Sequence, residues 1–111
     1  MTADGEQAAA EYLKTAGLRI LDRNWRCPDG EIDAVAAECH VLVICQVTMR
    51  SADNRGGPLE RVSRAKRTQL RRLAVRWMAA HGMRFDEVRI DVLGLTAGPG
   101  GYTIEHVRGV G

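Results

Sequence analysis

GEIDAVAAECHVLVICQVTMR, residues 30–50, contains two apolar runs separated by a short polar link. Residues 41–47 are apolar except for Gln46 and are rich in β-branched side chains, which is typical of a strand buried on both faces. Residues 31–37 form a second candidate strand directly before it. Because the link between the two strands is short, we expect them to pair in an antiparallel arrangement.

The end of the later strand becomes polar. Side chains alternate along a strand, so Gln46 and Thr48 share one face while Cys45 and Val47 share the other. The earlier strand carries a carboxylate at Asp33. Several metal-dependent nucleases place their catalytic groups in this way, and the stretch therefore predicts a polar site where the two strands meet.

Length and composition favour an ordinary globular protein. The chain has 111 residues, 45% of them apolar, and we interpret residues 1–111 as a single domain. It contains neither a run of 18 apolar residues nor a basic and apolar leader pattern, so we expect a soluble, cytoplasmic protein that does not bind membranes. The net charge of +2 says little about partners.

The remaining elements follow from periodicity and turn residues. A first helix is predicted over residues 4–16, with Asp4 and Gln7 as a capping box. Pro28-Asp29-Gly30 predicts a hairpin turn, and residues 51–57 predict a mobile loop beside the polar strand end. The other predicted elements are strands over 18–26, 87–95 and 102–107 and a helix over 58–81. The order α-β-β-β-α-β-β predicts an α/β fold with a central mixed sheet of about five strands flanked by helices.

The predicted second helix, residues 58–81, begins at Pro58 and carries most of the positive charge. It holds seven basic residues and one acidic residue, whereas the rest of the chain is acidic on balance. An apolar stripe is formed by Leu59, Val62, Leu70, Leu73 and Trp77. The opposite face is almost unmixed in charge, which favours a phosphate-contacting surface over an ordinary solvated face.

Two charged residues have alternative interpretations. Lys66 falls near the middle of the apolar stripe, where it either buries its stem and extends its amine outward, or points towards an anion at the acidic end of the sheet. Glu6 lies in the first turn of the first helix. It either interacts with the helix dipole or faces the predicted site from a helix packed across the sheet.

An ordered set of motifs resembles the YraN-like family of uncharacterised bacterial proteins. The motifs are Gly5-Glu6, Asn24-Trp25-Arg26, Gly30-Glu31-Ile32-Asp33, Gln46-Val47-Thr48, Lys66, Arg89-Ile90-Asp91-Val92 and Ile104-Glu105-His106. The resemblance covers nearly the whole chain. It implies a restriction-endonuclease-like fold, similar to archaeal Holliday-junction resolvases.

The resemblance also implies a site. Active nucleases of that fold combine a helix glutamate, a strand aspartate and an E-x-K motif, which hold Mg²⁺ or Mn²⁺ and position the nucleophile. Here Glu6 and Asp33 match, but Gln46 and Thr48 replace the glutamate and lysine of E-x-K. Lys66 is the candidate substitute for the missing cation. The implied catalytic set is Glu6, Asp33, Gln46, Thr48 and Lys66, with Asp33 and Gln46 as weak metal ligands.

Three functions remain open at this point. The chain could bind nucleic acid, with DNA expected, while cleaving little or none of it. It could be a weak Mg²⁺- or Mn²⁺-dependent endonuclease for branched or single-stranded DNA. It could be an interaction module whose basic helix binds an acidic protein partner or a second copy of the chain in a homodimer, with Trp77 and Met78 as anchors. The predicted nucleic-acid contacts are Arg50, Arg55, Arg61, Arg64, Arg67, Arg71 and Arg72.

Overall fold

A computed structural model describes residues 3–50 and 62–110 of the chain. The elements are α1 (Ala3–Thr15), β1 (Arg19–Cys27), β2 (Gly30–Glu38), β3 (Val41–Arg50), α2 (Arg64–His81), β4 (Glu87–Gly98) and β5 (Gly101–Val107). Their order along the chain is the predicted α-β-β-β-α-β-β. The predicted loop over residues 51–57 lies outside the described residues.

The five strands form one mixed sheet in the order β1-β2-β3-β4-β5. Strands β3 and β4 are parallel, and the other three neighbouring pairs are antiparallel. Parallel neighbours need a long crossover connection, and α2 lies in the segment that joins β3 to β4. The predicted α/β fold with a mixed five-stranded sheet is therefore confirmed.

Each face of the sheet has its own hydrophobic core. On the face covered by α2, hereafter the α2 face, Ile32, Leu42, Ile44, Ile90 and Val92 pack against the helix. On the opposite α1 face, a second core surrounds the helix residues Ala9 and Leu13. A central strand with both faces covered must be apolar on both, which explains why residues 42–45 are all buried. Neither described helix is long and apolar enough to cross a membrane.

The β1–β2 hairpin turn is held against α2. Cys27 pairs with Gly30, so Pro28 and Asp29 form the predicted turn. The Gln69 side chain of α2 donates a hydrogen bond of 3.0 Å to the Asp29 carbonyl. Gly30 has a φ of 146°, which residues with side chains rarely adopt, and a Cβ atom there would also displace the Gln69 amide nitrogen, 2.7 Å away, so the turn favours glycine.

Helix α2 begins later than the sequence predicts. Its first residue is Arg64, and the hydroxyl of the N-cap Ser63 accepts a hydrogen bond of 3.1 Å from the Lys66 backbone N–H. The predicted start at Pro58 is therefore wrong, because Ser63 caps the N-terminus of the helix and has a non-helical backbone. Pro58 and Leu59 lie outside the described residues. The predicted end is confirmed, since Gly82 has the left-handed conformation of a helix C-cap.

Two smaller predictions about the helices are wrong. Helix α1 begins at Ala3, so Asp4 lies within its first turn, and the Gln7 side chain donates to Glu11 instead of completing a capping box. Trp77 is only 1% exposed, and its indole N–H donates to the Asp22 carboxylate at 2.9 Å. A side chain in that position is part of the core and cannot anchor a partner protein.

A buried polar network ties α1, β4, β5 and the C-terminal residues together. Asp91 is completely buried and accepts two hydrogen bonds from Arg89, at 2.9 and 3.0 Å. His106 Nε2 lies 2.8 Å from the Asp91 carboxylate, and the Gly109 backbone N–H donates a hydrogen bond of 3.0 Å to the same carboxylate. The other ring nitrogen of His106 lies 3.0 Å from the Tyr12 hydroxyl. Every oxygen of the buried carboxylate is therefore satisfied.

Burial opposes ionisation of Asp91, but the hydrogen bonds from Arg89, His106 and Gly109 outweigh it and lower the pKa of Asp91. Arg89 also pairs with Glu38 at 2.7 Å. The hydrogen bonds to Asp91 and Glu38 raise the pKa of Arg89. A carboxyl group with a lowered folded-state pKa stabilises the fold above its ordinary pKa. This contribution is lost as the pH falls through the lowered value.

We expect Asp91→Asn to reduce the free energy of unfolding by about 3 kcal/mol, because it leaves Arg89 without its buried anion. The decrease in stability should have its full size between about pH 5 and 7. It should become smaller as the pH falls below the ordinary carboxyl pKa of 3.8. Urea denaturation at several pH values measures both effects. Asp86→Asn, at an exposed carboxylate before β4, is the control. Equal stability of the two variants would contradict a structural role for Asp91.

Candidate functional site

The candidate site lies where β2 separates from β3. The two strands pair from Glu38 opposite Val41 as far as Ala34 opposite Cys45, and no further. At the next residue of β2, the carboxylate of Asp33 accepts a hydrogen bond of 2.7 Å from the Val47 backbone N–H of β3. A side chain thus satisfies a backbone donor that a continuous ladder would have paired.

The regular alternation of β2 is broken at Asp33. Ile32 packs into the core on the α2 face, whereas Ala34, two residues later, packs on the α1 face. The neighbouring β1 has a matching irregularity at Asn24, whose φ of 52° is left-handed. Asparagine tolerates this conformation better than most residues. Asp33 consequently borders cavities on both faces of the sheet.

The larger cavity lies on the α2 face and has a volume of about 240 Å³. The charged and amide-bearing residues that line it come from three elements: Glu31 and Asp33 from β2, Gln46 from β3, and Lys66 from α2. The apolar residue Leu70 also lines the cavity. Of the two interpretations of Lys66, the structure matches the one in which it points towards an anion. Asp33 and Gln46 border the same cavity.

The smaller cavity lies on the α1 face, with a volume of about 10 Å³, room for about one water molecule. Glu6 and Asp33 both border it, together with Arg23. Glu6 therefore faces the sheet, as one of its two interpretations requires. However, it does not line the cavity that contains Gln46 and Lys66.

The environment of the larger cavity raises the pKa of the Asp33 carboxyl group. Burial raises the pKa of Asp33, and the nearby charge of Glu31 adds to the rise, while the Val47 N–H and the positive Lys66 oppose it. The Oε1 atom of Gln46 is buried and has no hydrogen-bond partner among the described residues. Buried polar atoms are nearly always satisfied, so an unpaired oxygen beside a polar cavity indicates a place for a ligand.

Thr48 and Arg50 continue along the same strand face beyond the cavity. Thr48 is partly buried opposite Gly94 and does not line the larger cavity. Arg50, a predicted nucleic-acid contact, has a side chain only 14% exposed and forms an ion pair of 3.2 Å with Glu105. Thr48 offers a hydroxyl near the site, and Arg50 is already engaged within the protein.

The four arginines of α2 that were predicted as nucleic-acid contacts divide into two groups. Arg67 donates to the Val62 carbonyl at 2.6 Å, and Arg71 contacts the Val88 carbonyl at 3.5 Å. Arg64 and Arg72 are exposed and make no hydrogen bond or ion pair with residues 3–50 or 62–110. These two guanidinium groups are therefore the ones on α2 with all donors available for phosphate. The other predicted contacts, Arg55 and Arg61, lie outside the described residues.

The donor set of the larger cavity suits a hard divalent cation. Carboxylate and amide oxygens are ligands for Mg²⁺ and Mn²⁺, and Asp33 and Gln46 could supply them. The sequence pattern did not assign Glu31 to the site, because regular alternation places it one step away along the strand. The signal in the sequence was Asn24, a residue type that allows left-handed backbone in the paired strand.

The fold and the site define an α/β protein with a polar cavity opened by the separation of two central strands. Comparison with known proteins identifies the family of the chain. Residues 5–95 match the family described as "Uncharacterised protein family UPF0102", and the chain belongs to that family. The resemblance to the YraN-like family is thereby confirmed.

Several relatives have nearly the same length as this chain. A "UPF0102 protein" of Beutenbergia cavernae is 48% identical over 110 residues, which cover 98% of this chain and 93% of the relative. A "UPF0102 protein" of Arthrobacter sp. is 47% identical, with 96% and 92% covered, respectively. One from Nocardioides sp. is 44% identical, with 98% and 89% covered. These names assign no activity.

We expect Asp33→Asn to increase the free energy of unfolding at pH 7 by about 0.5–1 kcal/mol. Folding raises the pKa of Asp33, so ionising it costs stability as the pH rises from the ordinary value of 3.8 through the raised one. Asparagine removes that cost and keeps an oxygen for the Val47 N–H. Urea denaturation at pH 7 and pH 4 tests this, with the gain smaller at pH 4. A loss of stability at pH 7 would contradict it.

Proposed function

We propose that this protein binds nucleic acid through a restriction-endonuclease-like site whose cleavage activity is weak or absent. The observation that supports the proposal is the convergence of Asp33, Gln46 and Lys66 on one cavity of about 240 Å³. The family resemblance implies phosphodiester chemistry at the positions of Asp33 and Gln46, and Lys66 is the candidate substitute for the missing lysine. The cavity opens between β2 and β3 beside the N-terminal half of α2.

The residues present fit a phosphodiester group. The Lys66 ammonium carries the positive charge that a phosphate requires. Asp33 and Gln46 provide oxygen atoms that could hold Mg²⁺ or Mn²⁺, and Gln46 Oε1 has no competing partner among the described residues. When bound, such a cation would offset the negative charge of the phosphate.

Two substitutions account for the weak cleavage that we propose. Gln46 replaces a formal negative charge with a neutral amide, and Thr48 replaces a formal positive charge with a hydroxyl. Removing one preorganised electrostatic stabiliser commonly raises a barrier by about 3 kcal/mol. Loss of both groups corresponds to a rate lower by several powers of ten, unless another side chain compensates.

The exposed face of α2 supplies the contacts for the remainder of the nucleic acid. Arg64 and Arg72 are the exposed guanidinium groups of α2 without partners in the described part of the chain. The helix has no acidic residue in its first turn to compete with phosphates. Contacts of this kind release counterions and make binding strongly dependent on salt.

The binding proposal is tested by titrating branched and single-stranded DNA in EDTA at several salt concentrations. We expect the logarithm of affinity to fall linearly with the logarithm of salt concentration. Replacing both Arg64 and Arg72 by glutamine should weaken binding and reduce the slope by about 2, one unit for each phosphate contact. Fluorescence anisotropy measures both quantities.

Arg84→Gln is the matched control, because Arg84 is exposed just after α2 and is not part of the proposed surface. It should leave the slope close to that of the unmodified protein. Binding that is absent at low salt, or a slope unchanged in the double variant, would contradict the proposal.

A weak metal-dependent endonuclease is the second candidate function. The specific observation in its favour is the position of Lys66 in the same cavity as Asp33, where it lowers the electrostatic cost of the Asp33 carboxylate. A lysine from α2 could therefore replace the strand lysine that Thr48 lacks. Glu6 borders Asp33 from the other face and could support it there.

We expect Gln46→Glu combined with Thr48→Lys to increase cleavage of branched DNA at least about tenfold with Mg²⁺ or Mn²⁺, because it restores both formal charges. Adding Asp33→Ala to this variant should abolish the increase. Gel assays of single-turnover cleavage provide the measurement. Equal cleavage with and without Asp33 would show contaminating nuclease and would contradict this candidate.

A further inference from the structure

A third cavity lies at the β5 side of the sheet and has a volume of about 170 Å³. None of the described residues that line it belongs to α2. They come from β3, β4 and β5: Arg50, Gly94, Thr96, Thr103 and Glu105. We call this space the β5 cavity. Because a protein cavity of about 150 Å³ can hold benzene, the β5 cavity has room for a single aromatic ring.

The strand register places the lining residues in two neighbouring rows on one face of the sheet. One row is Arg50, Thr96 and Thr103, and the next is Thr48, Gly94 and Glu105. Val92 packs in the core on the α2 face, and Gly94 and Thr96 follow it at two-residue intervals along β4. Since alternate residues of a strand share a face, both rows lie on the α2 face.

An ion pair crosses β4 within the β5 cavity. Arg50 Nη1 lies 3.2 Å from Glu105 Oε1, although the two residues belong to the strands on either side of β4. They also belong to adjacent rows, so the pair passes over β4 near Gly94. Glycine has no side chain to fill this position, and the pair leaves one positive and one negative charge in the cavity.

The threonine hydroxyls of the β5 cavity have no partner within the protein as described. Neither Thr96 nor Thr103 makes a side-chain hydrogen bond with residues 3–50 or 62–110. A hydroxyl can donate one hydrogen bond and accept others. The register sets the two residues directly opposite each other, so they present donors and acceptors at neighbouring points.

The balance of charge distinguishes this cavity from one built for phosphate. A phosphate would meet the Glu105 carboxylate, whose side chain is 61% exposed. A nucleobase carries no formal charge, and its edge presents both hydrogen-bond donors and acceptors. Threonine, arginine and glutamate are all residue types that contact base edges in complexes with nucleic acids. The lining therefore favours a base over a phosphate.

The distance between the two cavities on the α2 face suits one nucleic-acid strand. Gln46 in the larger cavity and Arg50 in the β5 cavity lie on the same face of β3, four residues apart, which corresponds to roughly 13 Å. Thr48 lies between them. A single strand with a phosphate beside Lys66 reaches the β5 cavity within a few nucleotides. Proteins that recognise single strands commonly bind bases that have left the stack.

We propose that the β5 cavity binds one unpaired nucleobase, with the hydroxyls of Thr96 and Thr103 bonded to its edge. The inference rests on the proposed function, because the base belongs to the nucleic acid whose phosphate occupies the larger cavity. It names the substrate class as a single strand, or the single-stranded segment of a branched molecule. The base is held by non-covalent contacts alone.

The test is an NMR titration of the full isotope-labelled chain with deoxycytidine and with thymidine, two nucleosides that carry no phosphate. We expect saturable shifts of the amide signals of Gly94, Thr96 and Thr103. The amide of Asp86, at the opposite end of β4, should not shift. Deoxyribose without a base and inorganic phosphate are titrated separately, and both should leave all four signals in place.

Thr96→Val combined with Thr103→Val removes both hydroxyls while keeping β-branched side chains that suit strands. It should weaken nucleoside binding at least about fivefold, as expected when ordinary hydrogen bonds are lost. Thr103→Val alone changes only an exposed residue of an edge strand and should weaken binding at least about twofold. Thr68→Val is the matched control, because Thr68 is exposed on α2 and does not line the cavity.

Three results would each overturn the proposal: no saturable shift up to the solubility limit of the nucleosides, equal shifts with deoxyribose or phosphate, or unchanged affinity in both valine variants. The outcome is separable from that of the proposed function, since the titration contains no DNA. Nucleoside binding without salt-dependent DNA binding would refute the proposed function and leave the base site standing. Salt-dependent DNA binding without nucleoside binding would refute the base site alone.

Discussion

The hydrogen bond of 2.7 Å between the Asp33 carboxylate and the Val47 N–H is the interaction on which the site depends. It allows β2 to separate from β3 while the backbone N–H of Val47 keeps a hydrogen-bond acceptor. The space opened by the separation becomes the larger cavity. Since the same carboxylate is also the central acidic group of that cavity, the architecture and the chemistry of the site share one side chain.

Two aspartates illustrate how differently this fold treats buried negative charge. Asp91 receives hydrogen bonds from Arg89, His106 and a backbone amide, and these lower its pKa despite complete burial. Burial raises the pKa of Asp33, because its single backbone donor and the charge of Lys66 compensate only part of that cost and the charge of Glu31 adds to it. The first environment stabilises the fold. The second is only partly compensated, which is the condition commonly found where a protein binds ligands or performs chemistry.

The two faces of the sheet make unequal contributions. On the α1 face, the space around Glu6 and Asp33 is almost filled, and the Asp91 network lies nearby as part of the scaffold. On the α2 face, the helix begins after the N-cap Ser63, which places Lys66 in its first turn and among the residues that line the larger cavity. Gln46 contributes its polar side chain to the α2 face, because alternation along β3 directs it to the same side as Ile44.

The sequence by itself determined the elements, their order, and the mixed sheet, because periodicity, Gly82 and the Pro28-Asp29 turn are local signals. It also placed Asp33, Gln46 and Lys66 as candidates for one site. Only the tertiary structure decided that Glu6 and Glu31 border different cavities and that Trp77 belongs to the core. These outcomes depend on the reversal of alternation at Asp33 and on packing between distant elements, which no local sequence pattern encodes.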